Sequence, residues 1–136
     1  MAGIAASNFG TISYCRFTGT IRAVSGGDAI LDVNGAAALG GWGEITAGGI
    51  AATHYSDSPL TACEMTGNIL LQGNVDKVYA GGLVAKDSGS LDQCRVTGTI
   101  SLTGKAKTPT LEIGGLAGKT RYQCQYTDCS FNGTIS

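Results

Sequence analysis

The chain has 136 residues, of which 14% are charged, and a net charge of −1, so it carries no electrostatic footprint for nucleic acid or an anionic membrane surface. It is one domain's worth of chain and 43% apolar, yet it holds no run of about 18 apolar residues, which excludes a transmembrane helix. Twenty-two glycines against two prolines suit a turn-rich all-β chain.

Four repeats follow in chain order, over about 1–46, 47–79, 80–112 and 113–136, and together they make a single repeat domain. Each opens on a small-residue signal: Ala2-Gly-Ile-Ala-Ala6, Gly48-Gly-Ile-Ala-Ala52, Gly81-Gly-Leu-Val-Ala85 and Gly114-Gly-Leu-Ala-Gly118. Each closes on a heptapeptide: Cys15-Arg-Phe-Thr-Gly-Thr-Ile21, Cys63-Glu-Met-Thr-Gly-Asn-Ile69, Cys94-Arg-Val-Thr-Gly-Thr-Ile100 and Cys129-Ser-Phe-Asn-Gly-Thr-Ile135. Anchored on Gly3, Gly49, Gly82 and Gly115, the intervals are 46, 33 and 33 residues, and from glycine to cysteine 12, 14, 12 and 14. No signal peptide is visible, and a repeat starting at residue 2 reads as a domain cut from a longer protein.

Period-2 reading of the heptapeptide turns Cys15, Phe17, Gly19 and Ile21 inward and Arg16, Thr18 and Thr20 outward. The other copies keep that alternation. The predicted core ladder is therefore Cys15/Cys63/Cys94/Cys129 and Ile21/Ile69/Ile100/Ile135, with Phe17/Met65/Val96/Phe131 between them. Ile12/Leu60/Leu91/Tyr126, Ile45/Val78/Leu111 and Ala47/Ala80/Ile113 supply further inward rows. The structure that stacks like positions is a parallel β-solenoid with one coil per repeat, coils about 4.8 Å apart and the Gly-Gly pairs at corners. Right-handed coiling is the expectation for parallel crossovers. The outward row Arg16/Glu64/Arg95 alternates in charge, which supports the register and carries no functional signal.

The segment from about 23 to 43 departs from the repeat. It holds Asp28, Asp32, Asn34 and the single tryptophan, Trp42. Insertions in solenoids map to loops that often bind partners, so these residues are the first candidates for partner contact; the alternative is that the segment packs on the flank or covers an open end. Asp28, Asp32 and Asn34 also offer oxygen ligands of the calcium type, although calcium requires several together.

The stretch from Gly81 to Ile100, with Gly-Gly-Leu-Val-Ala at its start and Cys94-Arg-Val-Thr-Gly-Thr-Ile100 at its end, resembles the GLUG repeat. Gly115-Leu-Ala-Gly118 matches the short signature most closely, and Ala85 and Ala52 depart from its last glycine. The resemblance covers nearly the whole chain apart from the insertion. It implies bacterial, extracellular or surface-anchored repeat proteins, including adhesin-like molecules and stalks on secreted peptidases. It supplies no catalytic residue.

Other chemistry is thin. Gly114-Gly-Leu-Ala-Gly-Lys-Thr120 lacks the first glycine of a phosphate loop, since Ile113 stands there. His54 is the only histidine, reads as a solvated loop residue, and finds no triad or metal cluster by spacing. Asp57, Asp76, Asp87 and Asp92 read as turn residues, with no stacked acid pair for glycoside cleavage. Five cysteines, an odd number, argue against a complete disulfide framework; Cys124 lies outside the ladder. Asn132-Gly-Thr134 is a formal glycosylation sequon placed on a strand. The outward Thr18/Thr66/Thr97 and Thr20/Thr99/Thr134 ladder resembles the ordered threonine faces of ice-binding solenoids, but charged neighbours flank it and β-propensity explains it as well.

The resulting expectation is a non-catalytic structural or adhesive module with no cofactor. Its partners would be flanking repeats, or a second copy through open solenoid ends, or a cell-surface protein or glycan. A carbohydrate-binding or carbohydrate-cleaving solenoid is the alternative, with Trp42, Tyr55, Tyr79 and Tyr122 as its thin aromatic supply. Ice binding is the third reading.

Overall fold

A computed structural model describes residues 1–25, 31–32, 36–37, 44–55, 59–73, 77–103, 110–121 and 124–136. The fold is all-β: a parallel β-solenoid in which every inter-coil pairing is parallel and in register. The first coil holds β1 (Ala5–Asn8), β2 (Ile12–Ser13) and β3 (Arg16–Ser25), and two short strands follow, β4 (Leu31–Asp32) and β5 (Ala36–Ala37). The second holds β6 (Glu44–Gly48), β7 (Ala51–His54), β8 (Leu60–Thr61) and β9 (Glu64–Gly73). The third holds β10 (Lys77–Gly81), β11 (Val84–Asp87), β12 (Leu91–Asp92) and β13 (Arg95–Thr103). The fourth holds β14 (Thr110–Gly114), β15 (Ala117–Thr120), β16 (Tyr126–Thr127) and β17 (Ser130–Ile135). Like strands stack into four sheets: β6-β10-β14, β1-β7-β11-β15, β2-β8-β12-β16 and β3-β9-β13-β17.

The rows follow from the alternation of the heptapeptide. Gly19, Gly67, Gly98 and Gly133 stand opposite one another, as do Ile21, Ile69, Ile100 and Ile135. In the two middle coils these inward rows close completely. Cys63, Met65, Ile69, Leu60, Ile45 and their counterparts Cys94, Val96, Ile100, Leu91 and Val78 are buried. The long strands carry the alternation past the heptapeptide: Ala23 and Leu71 are buried and Leu102 packs on the same core.

Glycine is required where coils touch. A Cβ on Gly67, Gly98 or Gly133 would fall within 1.6 to 1.8 Å of the carbonyl oxygen of the row's glycine in the preceding coil, and Gly67 and Gly98 also hold φ near +145°. The bend before each cysteine is made differently, by Tyr14, Ala62, Gln93 and Asp128 in left-handed conformation at φ 51 to 54°.

The fourth coil has no neighbour on its outer side among the described residues, so its core rows face outward. Leu111 is 47% exposed and Ile135 44%, where their counterparts Val78 and Ile100 are buried. At the first coil, β5 pairs in parallel with β3 at Arg22 and Ala36, and β4 pairs antiparallel with β5. Residues 31–32 and 36–37 of the insertion thus extend this sheet beyond β3, at the end of the stack.

Candidate functional site

One position per coil builds the only buried polar chemistry among the described residues. The residue five places after each anchor glycine ends the strand that its coil gives to the β1-β7-β11-β15 sheet: Asn8, His54, Asp87 and Thr120, paired in register. His54 is 0% exposed and Asp87 1%, so His54 is not a solvated loop histidine and Asp87 is not a turn residue. The alternation in β7 and β11 turns both side chains into the stack, and the stack brings them together. His54 Nδ1 lies 3.5 Å from Asp87 Oδ1. The same Oδ1 accepts the Gly89 N–H at 2.9 Å, and Oδ2 accepts the Tyr126 hydroxyl at 2.9 Å. Burial together with the Asp87 carboxylate pushes the Tyr126 phenol well above its ordinary range, so it stays a donor. Cys124 closes the group from the fourth coil: its thiol donates to the Arg121 carbonyl at 2.8 Å and lies 3.6 Å from the Asp87 carbonyl, and burial raises its pKa. Tyr126 stands in the row of Leu60 and Leu91, so the hydroxyl reaches an acid one coil back from an otherwise apolar row.

The cysteine ladder is a column of free thiols, with Cys63 and Cys94 buried and Cys15 and Cys129 half-buried at the ends. Cys94 donates to the Leu60 and Asp92 carbonyls at 3.3 Å, and Cys63 to Thr61 at 3.4 Å. The Cys94 thiol beside it brings Cys63 down to about 6 against the opposing effect of burial, and the same contact pushes Cys94 up. Among the described residues no group of three His, Cys, Asp or Glu side chains is placed to hold a metal ion, and no helix is long and apolar enough to cross a membrane.

The chain matches no family model, no curated protein and no solved structure.

The outer rows lie where the alternation puts them. Thr18, Thr66 and Thr97 continue into Asn132, and Thr20, Asn68 and Thr99 into Thr134. Arg16 pairs with Glu64 at 2.8 Å beside them. Asp28, Asn34 and Trp42 lie outside the described residues, as do Asp57, Asp76 and Tyr122; of Asp32 only the backbone, in β4, is described. Tyr79 is buried rather than available to a ligand, because Lys86 and Lys119 lie 4.2 and 5.1 Å from its ring centre and Lys119 is held by Glu112 at 3.2 Å. Tyr55 is exposed and stacks on Phe9 with ring centres 4.7 Å apart at 12°. Phe9 was no candidate in the sequence, although it stands six residues after its anchor glycine, as Tyr55 does after its own.

Proposed function

We propose that this chain is a non-catalytic structural and adhesive module of a bacterial surface or secreted protein, working outside the cell by holding a rigid, extended surface. One observation carries the reading: the single histidine and the acid beside it are sealed inside the stack, at 0% and 1% exposure, with His54 of one coil 3.5 Å from Asp87 of the next. The resemblance of the repeats to GLUG sequences supports the surface location. The test pairs retention of the fluorescent chain on bacterial and mammalian cells with turnover assays on polysaccharide and peptide substrates. Saturable retention without turnover is expected. Turnover that disappears in a His54→Ala chain still folded by circular dichroism sinks the reading.

The Phe9–Tyr55 stack favours a second reading, glycan binding. Phe9 is 75% exposed and Tyr55 50%, and sugar rings dock on such aromatic faces. A glycan array with wild type and Phe9→Ala separates the two: signal lost in the variant assigns the surface to a sugar, and signal unchanged or absent removes the sugar.

A further inference from the structure

We infer that Cys63 and Cys94, stacked in the two middle coils, form a two-coordinate site for a soft monovalent metal ion of the copper(I) or silver(I) class, held sulfur–metal–sulfur across the coil spacing.

The stack fixes the two sulfurs. Glu64, Arg95 and Ser130 donate their N–H groups to the Cys15, Cys63 and Cys94 carbonyls at 2.9 to 3.0 Å, so the cysteines stand in register immediately before the paired strands. Their side chains repeat one orientation. The thiols of Cys15, Cys63, Cys94 and Cys129 each reach the carbonyl two residues before, at 3.5, 3.4, 3.3 and 3.2 Å. Like side chains therefore follow the coil spacing of about 4.8 Å. A disulfide draws its Cβ atoms to about 3.5–4.5 Å, closer than that spacing holds them. A linear bridge with thiolate bonds of about 2.3 Å, the length found at zinc, spans about 4.6 Å and matches it.

The ligand count selects the ion. Among the described residues no group of three His, Cys, Asp or Glu side chains is placed to hold a metal, and structural zinc takes four ligands. Copper(I) and silver(I) are satisfied by two, and thiolates prefer such soft ions. Both thiols are buried in the apolar core, which keeps water and hard ligands from completing a larger shell.

The protons leave without orphaning the backbone. Binding breaks both S–H bonds, forms both sulfur–metal bonds, releases the two protons to solvent and leaves one negative charge on the site. Cys63, brought to about 6 by the Cys94 thiol beside it, gives up its proton at neutral pH. The Thr61 and Asp92 carbonyls that lose their S–H donors still accept the Tyr14 and Ala62 N–H groups at 2.9 Å.

The site goes beyond the structural reading and stands apart from it, since it needs the stack and not a surface partner. Copper(I), supplied as its acetonitrile complex in anaerobic buffer and competed with bathocuproine disulfonate, is the probe. A Cys15→Ser/Cys124→Ser/Cys129→Ser chain keeps only the buried pair. It should bind one ion per chain, with two sulfurs and no other ligand by X-ray absorption. Adding Cys94→Ser should weaken binding by more than the about 10–100-fold that loss of a supporting residue costs. In the unaltered chain, the Cβ resonances of Cys63 and Cys94 should shift at one equivalent of copper, before those of Cys15, Cys124 and Cys129. That measurement decides the matter even where the triple variant does not fold. Affinity untouched by Cys94→Ser, a third ligand in the metal shell, or shifts first at Cys15, Cys124 and Cys129 each overturn the proposal.

Discussion

Replacing Gly98 with alanine strikes the fold at its closest approach. The new Cβ would sit 1.6 Å from the Gly67 carbonyl oxygen, at φ +148°. The conformational cost alone is about 1–3 kcal/mol. Relieving the overlap pushes β13 off β9, two strands that share nine registered pairs from Arg95–Glu64 to Thr103–Gln72. Losing two or three ladder hydrogen bonds adds about 2–3 kcal/mol, before any loss of packing between Ile69 and Ile100. Gly19→Ala is the matched control. Its φ is +145°, but the Cβ meets no atom of its own chain nearer than 3.7 Å, so only the conformational cost remains. Urea unfolding should show Gly98→Ala losing at least about 2 kcal/mol more than Gly19→Ala. Equal losses would refute the close in-register contact, because the two sites differ in the neighbouring coil and not in backbone conformation.

The other predictions concern the buried groups. Asp87→Ala leaves the Tyr126 hydroxyl, the Gly89 N–H and His54 facing an empty site, and should cost about 3–5 kcal/mol by thermal unfolding. A loss under about 1 kcal/mol would show that the cluster does not join the coils. Because the folded-state pKa of Tyr126 is raised, its contribution is fully present below the unfolded value near 10 and fades as the pH climbs above it. Stability should therefore fall above about pH 10. Tyr126→Phe should flatten that fall while costing about 1 kcal/mol at neutral pH; an unchanged alkaline slope would assign it elsewhere. Native alkylation should modify Cys15, Cys124 and Cys129 first and Cys63 and Cys94 at least about a hundredfold more slowly despite the lowered Cys63 pKa, since both are buried. Uniform labelling in the folded chain would contradict a closed core.

The stacking was legible because solenoid rows are written in the sequence at fixed offsets. Cys63 over Cys94 and Ile69 over Ile100 follow from period 2 alone, and so does Thr66 over Thr97. His54 was misread by being taken singly. Counted from its anchor glycine, it falls in the row of Asn8, Asp87 and Thr120, which stacks it on an acid, and the inward side of that row buries both. The run of β9 past Ile69 is not legible in the sequence, because Leu70 follows Ile69 and hides the alternation that Leu71 continues. The left-handed corners at Tyr14, Ala62 and Gln93 carry no compositional signal: only Asp128 is of a type that favours that conformation, and the others are tied to the next coil by backbone N–H bonds to the Thr61, Asp92 and Thr127 carbonyls. Pairing of Ala36 with Arg22 joins residues of the insertion that belong to no row, so no offset announced it.

The most direct measurement is the set of backbone proton contacts in solution between the heptapeptide strands. In-register parallel stacking should give amide-to-Hα cross-peaks linking Gly67 with Gly98 and Gly98 with Gly133, with no close Hα–Hα pairs between these strands. Close Hα–Hα pairs, or cross-peaks displaced by a residue or more, would mean antiparallel or shifted strands. The rows and the buried His54–Asp87 pair would then fall together.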